Sequence, residues 1–188
     1  MPHRRLRSVL YLAVGVMLLA AFVPLPTDGD LGDPAEGINC RHKLAQLWQA
    51  AQSGSSGRMG FTEREINAHL ASVMEANPGV REARGLTVGV EDLRLAIVED
   101  EACLFVIGRA LFLPFVLEYR ATATREAHDG VVRLESVRLG RLPLVQPLEW
   151  IATGHLDQLT RGLRAEREIL QHLTALEVTE GKILLAVG

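Results

Sequence analysis

The feature that most constrains this chain is an uncharged apolar run of 17 residues, Val9–Leu25, which follows three arginines within residues 4–7. As a helix the run spans about 25 Å, slightly less than the roughly 30 Å hydrocarbon core of a bilayer. No face of the run is polar, so it does not have the pattern of an amphipathic helix in a globular protein. The sequence therefore predicts an N-terminal transmembrane helix.

Arginines beside a membrane helix stay on the cytoplasmic side, so we expect the remainder of the chain to lie outside the cytoplasm. A cleavable signal would need small residues two apart before the cut, whereas Ala20 and Ala21 are adjacent. We expect a single-pass protein of the inner membrane, with its N-terminus cytoplasmic and its C-terminal domain extracytoplasmic, in the periplasm. Its predicted parts are an uncleaved signal-anchor at 1–25, a linker rich in Gly, Pro and Asp at 26–38, and an exported domain at 39–188.

Two short helices are predicted at the start of the exported domain. Apolar residues at helical spacing indicate a first helix from Cys40 to Ala51, capped by Asn39 and followed by a flexible Gly/Ser loop at 53–57. Its predicted buried stripe consists of Cys40, Leu44, Leu47, Trp48 and Ala51. Thr62 and Glu65 have the spacing of a capping box, with Phe61 and Ile66 placed as a hydrophobic staple. The second helix is therefore predicted over 63–76.

Beyond these helices the hydrophobic period changes from 3.6 to 2, as in Leu93, Leu95 and Ile97. We predict an antiparallel meander of about four strands between 93 and 135, with Asp129-Gly130 as a hairpin turn. A long or split helix follows at 147–173, and a β-hairpin pairs 176–179 with 183–187. This order of elements predicts an α+β fold.

Several classes of function are disfavoured by composition and motif. The chain is 48 % hydrophobic, which is enough for a packed core, and its net charge is −3 with no basic cluster in the exported part, so we expect no nucleic-acid partner. The histidines lack metal-ligand spacing, and His42, His69 and His172 are interpreted as helix-surface or boundary residues. No nucleophile elbow or phosphate loop is present. We therefore expect no metal, no cofactor and no enzymatic activity.

Two cysteines, Cys40 and Cys103, both lie in the exported part, where oxidation is permitted. A disulfide between them would close a loop of about 64 residues and stabilise the fold by roughly 4 kcal/mol. The alternative is two buried thiols on apolar faces. The sequence leaves both open.

The segment 104–117 (LFVIGRALFLPFVL) has a single charge, at Arg109, and three of the five phenylalanines of the chain. A strand with one face in water should alternate, so an apolar group must cover the second face of this part of the sheet. Either the protein's own helices cover it, or it lines a cavity for an apolar ligand, with Arg109 at the rim or paired to a neighbouring acid. The predicted ligand-binding residues are Phe105, Ile107, Arg109, Phe112, Phe115, Leu117 and Tyr119.

Two functions follow from this segment. The first is binding of an apolar ligand, a lipid, by a protein held in the membrane by its anchor, for maintenance or assembly of the cell envelope. The alternative is a protein-interaction module of an envelope complex, which would present the same apolar strands or the helix 147–173 with Trp150 to another envelope protein.

Two stretches carry a resemblance. Phe61–Leu70 (FTEREINAHL) fits a recurrent helix-start pattern, T-x-x-E-[IL]-N-x-x-L, and Leu139–Leu144 (LGRLPL) fits G-x-[LI]-P-[LV]. Through them, residues 60–188 resemble the YpmS-like and LmeA-like groups of small membrane-anchored envelope proteins. The helix at 39–51 and the lack of a clear polar site depart from that pattern. The resemblance implies a single α+β domain behind an anchor or signal and a non-enzymatic, lipid-handling role.

Overall fold

The computed structural model describes residues 30–76, 88–98, 101–110, 113–123, 132–144, 163–179 and 181–188. Within these ranges the chain forms three helices and eight strands, and the predicted α+β class is confirmed. In chain order the elements are α1 (Pro34–Ser53), β1 (Gly57–Thr62), α2 (Glu63–Ala76), β2 (Val88–Val98), β3 (Glu101–Ala110), β4 (Leu113–Ala123), β5 (Val132–Leu139), β6 (Leu142–Pro143), α3 (Arg164–Gln171), β7 (Leu173–Thr179) and β8 (Lys182–Val187).

The strands form two antiparallel sheets. The meander sheet has the order β2-β3-β4-β5-β6, which confirms the predicted meander and extends it by the two residues of β6. The hairpin sheet has the order β1-β8-β7. It contains the predicted C-terminal hairpin, but it also contains β1, which begins at Gly57 where a flexible loop was predicted to end. Local sequence does not indicate β1 because its backbone partners come from β8, more than 100 residues later.

Helix α1 begins six residues earlier than predicted, and residues 34–38 do not belong to a linker. Asp33, not Asn39, is the N-cap: its carboxylate accepts a hydrogen bond from the backbone N–H of Glu36 at 3.0 Å, and Glu36 Oε2 accepts one from the Asp33 N–H at 2.7 Å. Pro34 occupies the first helical position, where its missing N–H costs nothing. Part of the Gly-, Pro- and Asp-rich segment that indicated a linker therefore forms the start of α1. At the other end Gly54, at φ 65°, caps the helix.

Helix α2 covers the predicted residues 63–76, and its predicted capping box is present. Thr62 Oγ1 accepts a hydrogen bond from the Glu65 N–H at 3.2 Å, while the Thr62 N–H donates to Glu65 Oε2 at 3.0 Å. Phe61 is buried, and Ile66 packs against the same cluster, as the predicted staple requires.

Side chains of α2 also close the outer edge of β2. Asn67 Oδ1 accepts a hydrogen bond from the Leu95 N–H at 2.6 Å, and Asn67 Nδ2 donates to the Leu95 carbonyl at 2.9 Å. One helical turn away, Glu63 Oε2 accepts from the Ile97 N–H at 2.9 Å. Because these bonds replace those of a neighbouring strand, they protect an edge that would otherwise pair with another chain. Asn67 Nδ2 also donates to the Asp30 carbonyl at 2.9 Å, which fastens the segment before α1 to the domain.

Two main clusters make up the core. The first lies between α2 and one face of the meander sheet and is formed by Leu70, Met74, Val90, Leu93, Val106, Tyr119 and Val137. The second lies among α1, α3 and the hairpin sheet and is formed by Cys40, Leu47, Phe61, Ile169, Leu185 and Val187. Gly37 allows α1 to approach α2 closely, since a Cβ there would lie 3.0 Å from the Ala68 backbone.

Of the helix predicted at 147–173, the structure describes only the end. This part is α3, which stops at Gln171, and β7 begins at Leu173 rather than at residue 176 because β8 supplies backbone partners that far back. Three features of the sequence analysis lie outside the described residues: Trp150, the predicted Asp129-Gly130 turn and the predicted anchor at 1–25. The strands on either side of that turn, β4 and β5, pair as predicted.

Both cysteines are buried free thiols in separate clusters, so the structure favours the second of the two alternatives. Burial raises the pKa of the Cys40 thiol to about 12, which keeps it protonated. We expect iodoacetamide to leave the folded protein unmodified and to alkylate both thiols in guanidinium chloride, as measured by mass spectrometry. A reductant should not change the melting temperature. A reductant-dependent loss of stability would show that the thiols are bridged instead.

Candidate functional site

The residues predicted to bind a ligand do not share one surface. In the β3–β4 register Phe105 lies opposite Glu118 and Gly108 lies opposite Phe115, so the phenylalanines occupy opposite faces of the meander sheet. On one face lie Phe105, Ile107 and Arg109; on the other lie Phe115, Leu117 and Tyr119. Phe112 lies outside the described residues.

The second of these sets belongs to the core. Tyr119, 2 % exposed, is part of the cluster under α2, and Leu117 packs against that cluster. Phe115 is 8 % exposed and lies across Gly108, where a Cβ would come within 2.8 Å of the ring. Phe115 and Tyr119 are therefore enclosed by the protein itself, and Leu117 is half-buried.

The first set lies on a mixed face. Phe105, 7 % exposed, forms a small cluster with Ala96, Cys103 and Val116, and Ile107 packs against it. Charged side chains interrupt the face in ion pairs: Arg94 with Asp92 at 2.8 Å and Arg120 with Glu118 at 2.5 Å. Arg109 is exposed and pairs with Glu91 at 2.9 Å, which is the alternative that the sequence left open for it.

A groove opens elsewhere, between α1 and α3. Its volume is about 330 Å³, at the lower end of the range for small-molecule sites. We call it the α1–α3 groove; its lining residues are Arg41, Leu44, Ala45 and Trp48 from α1 and Glu166, Glu168 and Ile169 from α3. The α1 residues follow a spacing of three and four, which places them on one side of the helix, beside its buried stripe.

The apolar floor of the groove is held in place by packing. Ile169 is buried in the cluster that also contains Leu47, and Trp48 packs half-buried against it. The Trp48 ring meets the His172 ring edge-on, with centroids 5.9 Å apart. This geometry limits the rotation of the indole and leaves part of its surface on the groove.

A pair between the buried His69 and the half-buried Glu166, at the wall of the groove, ties α3 to α2. His69, predicted as a surface or boundary residue, is only 6 % exposed; His42 and His172 are exposed as predicted. His69 Nε2 donates to Glu166 Oε1 at 2.8 Å, and this hydrogen bond is the main reason that the pKa of Glu166 lies below its ordinary value. His69 Nδ1 has no partner among the described residues. The pair therefore keeps an ionised carboxylate on the groove wall.

A second pair, between the half-buried Lys43 and the buried Glu65, is structural. Lys43 Nζ lies 2.8 Å from both carboxylate oxygens of Glu65 and 2.7 Å from the Gly60 carbonyl. The Glu65 carboxylate also accepts hydrogen bonds from the Asn39 amide and the Thr62 backbone. Burial raises the pKa of Glu65, but these donors together hold it below its ordinary value. Every polar atom of the pair is used in joining α1, β1 and α2, so it offers no group for chemistry.

Comparison with protein-family models, curated proteins and solved structures finds no match to this chain. Over the part of the chain that the structure describes, no helix combines the length and apolar character needed to cross a bilayer. Within those same ranges, no three His, Cys, Asp or Glu side chains come together as metal ligands would.

Sequence reasoning did not identify the groove. It assigned Leu44 and Trp48 to the buried stripe of the first helix and singled out neither Arg41 nor Glu166. The sequence did contain one indication of the groove. Leu44, Ala45 and Trp48 make the apolar stripe of this helix wider than packing against one neighbouring element requires. The partner helix α3 lies more than 100 residues away, so the groove itself is a product of tertiary packing.

Proposed function

We propose that this chain is a membrane-anchored extracytoplasmic protein that binds an apolar ligand, the acyl chain of a lipid, in maintenance or assembly of the cell envelope. The observation that carries the binding proposal is the α1–α3 groove, an apolar recess with charged residues on its walls. The anchor and the extracytoplasmic location are part of the proposal and rest on the arginine-flanked run Val9–Leu25.

Desolvation is the source of affinity in this proposal. Leu44, Ala45, Trp48 and Ile169 offer carbon surface, and each methylene that leaves water against it contributes about 0.8 kcal/mol. Binding of this kind needs no catalytic group, in keeping with the expectation that the protein is not an enzyme. The strand residues Phe105 to Tyr119 then serve to build the sheet, and the ligand site moves from the meander to the helices.

A protein partner is the second candidate, and exposed apolar side chains favour it. Ile38 lies on α1 one turn before Arg41 and is 53 % exposed, and Leu170 on α3 is 50 % exposed. An apolar segment of another envelope protein could cover these side chains together with the groove. This version places the interaction on α3, at the end of the predicted helix 147–173.

Filling the groove tests the lipid proposal. We expect a diazirine-bearing monoacylglycerol to label the full-length chain, held in amphipol, on the peptides that contain residues 41–48 or 169. Ala45→Phe should reduce this labelling about tenfold, because the ring occupies the space of the acyl chain. The matched control is Gln46→Phe, which puts the same ring on the next position of α1, where the side chain is exposed and does not line the groove.

Labelling that maps to the groove and falls only in Ala45→Phe supports the proposal. Labelling that maps elsewhere, or that both variants reduce equally, contradicts it. A protein adduct that forms through Leu170 in intact membranes, without lipid labelling, would instead support the interaction module. Melting curves of both variants test whether the fold is retained, and the mapped attachment site in the unaltered chain does not depend on either substitution.

A further inference from the structure

We infer that the domain rests on the membrane that holds its anchor, with Leu31 and Val98 in contact with the bilayer surface. This inference rests on the anchor of the proposed function and goes beyond it, because it assigns a second lipid contact, on other residues than those of the groove. Its basis is the point at which the chain enters the domain, at Asp30, together with two exposed apolar side chains beside that point.

The chain is fixed to α2 where it enters the domain. The Asp30 N–H donates to Glu63 Oε1 at 2.9 Å, and the Asp30 carbonyl accepts from the Asn67 amide at 2.9 Å. The Asp30 carboxylate pairs with Arg64 at 3.0 Å. Gly32 lies directly against α2, since a Cβ there would come within 2.3 Å of the Arg64 carbonyl oxygen. We call Asp30 and its partners Glu63, Arg64 and Asn67 the Asp30 clamp.

The Asp30 clamp is also bonded to the end of β2. The Glu63 carboxylate that binds the Asp30 N–H accepts a second hydrogen bond, from the Ile97 N–H, at 2.9 Å. The Asn67 amide likewise bonds both to Asp30 and to the backbone of Leu95. Leu31 directly follows Asp30, and Val98, the last residue of β2, directly follows Ile97. The two apolar residues are therefore neighbours of one shared carboxylate.

This end of the meander sheet differs in position from the other exposed apolar end. Leu31 is 48 % exposed and Val98 is 56 % exposed. Val98 pairs with Glu101 at the start of β3, whereas Leu113, 38 % exposed, pairs with Ala110 at the end of β3. Nine residues of extended β3 separate these two pairs, or about 30 Å. Leu113 therefore lies at the far end of the sheet from the Asp30 clamp.

The connection between the predicted anchor and the clamp is short. The apolar run ends at Leu25, and the clamp begins at Asp30, so five Cα–Cα steps join them. Fully extended, these steps span at most about 18 Å. The headgroup layer outside the hydrocarbon core takes up about 5–8 Å of this length. Asp30 is thereby confined to within about 13 Å of the headgroup surface.

This confinement is what selects a bilayer as the partner of the apolar residues. Because the connection makes the contact intramolecular, weak desolvation of Leu31 and Val98 is enough to hold the domain on the surface. Charge is not the source of the contact, since the Asp30 and Glu36 carboxylates are paired with Arg64 at 3.0 and 2.9 Å. We therefore expect the contact to form on uncharged vesicles and to persist at high salt.

Quenching of bimane fluorescence by a nitroxide-bearing lipid tests this inference. The full-length chain is reconstituted in phosphatidylcholine vesicles that contain a lipid with its nitroxide near the headgroup. Bimane is attached to Leu31→Cys, Val98→Cys and Leu113→Cys in separate proteins. We expect strong quenching in the first two and about fivefold less in the third, which lies about 30 Å away along the sheet. The unaltered chain, whose two thiols are buried, gives the background of labelling.

A reporter beside the two apolar residues measures what they contribute. Bimane at Ala35→Cys, an exposed position in the first turn of α1, should be quenched in the same vesicles. Leu31→Ser/Val98→Ser should reduce this quenching about threefold, because the domain then loses its apolar contact. The control is Leu113→Ser, which removes an exposed leucine at the far end of the sheet and should leave the quenching unchanged.

The outcomes separate this inference from the proposed function. Quenching that is confined to the Leu31 and Val98 positions, and that falls at Ala35→Cys in the double variant, supports the inference. Equal quenching at all three positions, quenching at none, or a double variant without effect overturns it. If the chain meanwhile resists extraction from the vesicles by carbonate, the proposed anchor stands. Extraction by carbonate overturns the anchor and this inference together, whereas labelling of the groove by the monoacylglycerol is measured independently.

Discussion

Replacing Asn67 by Ala should reduce the free energy of unfolding by about 3 kcal/mol. The Asn67 side chain is 1 % exposed and serves three backbone groups, the Leu95 N–H, the Leu95 carbonyl and the Asp30 carbonyl. An alanine leaves these groups beside a small cavity, with their partners lost and little access to water. Urea denaturation of the full-length chain in detergent, followed by tryptophan fluorescence, measures the change.

The control for this substitution is Gln52→Ala, which removes an amide from an exposed position of α1 and should change the free energy of unfolding by less than about 0.5 kcal/mol. Asn67→Asp refines the test. It keeps an acceptor for the Leu95 N–H but sets a carboxylate against the Leu95 carbonyl, so it should be destabilising as well. If Asn67→Ala and Gln52→Ala cost the same, side-chain closure of the β2 edge is not a source of stability.

The second large effect is expected from Lys43→Met, which leaves the Glu65 carboxylate buried without its cation. Breaking a buried pair in this way costs about 3–5 kcal/mol, and we expect the lower value because Lys43 is partly exposed. The double variant Lys43→Met/Glu65→Leu should recover much of the loss, since no unpaired charge then remains. Arg58→Met breaks an exposed pair with Glu177 and should cost less than about 1 kcal/mol.

The same pair predicts a pH dependence with a definite sign. The folded-state pKa of Glu65 lies below its ordinary value of 4.5, so its contribution to stability is present above that value and lost as the pH falls through the folded pKa. Without Lys43, burial raises the pKa of Glu65, and protonation relieves the buried charge. The deficit of Lys43→Met should therefore be largest at neutral pH and shrink below pH 4.5. A deficit that is constant across this range would show that lost packing, not charge, destabilises the variant.

Elements whose partners are local could be predicted from the sequence. Thr62 and Glu65 make their hydrogen bonds within one helical turn, so their spacing alone locates the start of α2 at residue 63. The meander strands alternate, and each pairs with the next strand along the chain. The start of α1, which was not predicted, also depends on contacts between residues close in sequence. Asp33 and Glu36 have capping-box spacing, but the surrounding Gly, Pro and Asp residues resembled a linker.

Features that depend on distant partners could not be predicted in this way. The segment Gly57–Thr62 forms a strand because β8 lies beside it and supplies its backbone partners. Asn67 lies on a buried face of α2, where its amide bonds to the backbone of β2. The resemblance motif Phe61–Leu70 acquires a physical meaning here, as its Thr, Glu and Asn cap α2, pair with Lys43 and close the sheet edge. These roles are structural, so the motif supports a fold more directly than a function.

The predicted ligand-binding residues show how register decides a site. The segment 104–117 is apolar on both strand faces, as the sequence indicated, but β3 ends at Ala110 and β4 begins at Leu113, and these two residues pair with each other. That register directs Phe105 and Phe115 to opposite faces, where Phe105 joins a small cluster and Phe115 is buried against Gly108. A bend nearer Pro114 would have produced another register, and the position of a turn within an apolar run has no clear sequence signal.

The central claim is that the α1–α3 groove holds a lipid acyl chain, and copurifying lipid tests it most directly. The full-length chain, Ala45→Phe and Gln46→Phe are purified from membranes in the same detergent, and the lipid retained per protein molecule is measured by mass spectrometry. We predict about one retained lipid for the unaltered chain and for Gln46→Phe, and a severalfold loss for Ala45→Phe. Equal retention by all three proteins would contradict the claim, because the lipid would then be held outside the groove.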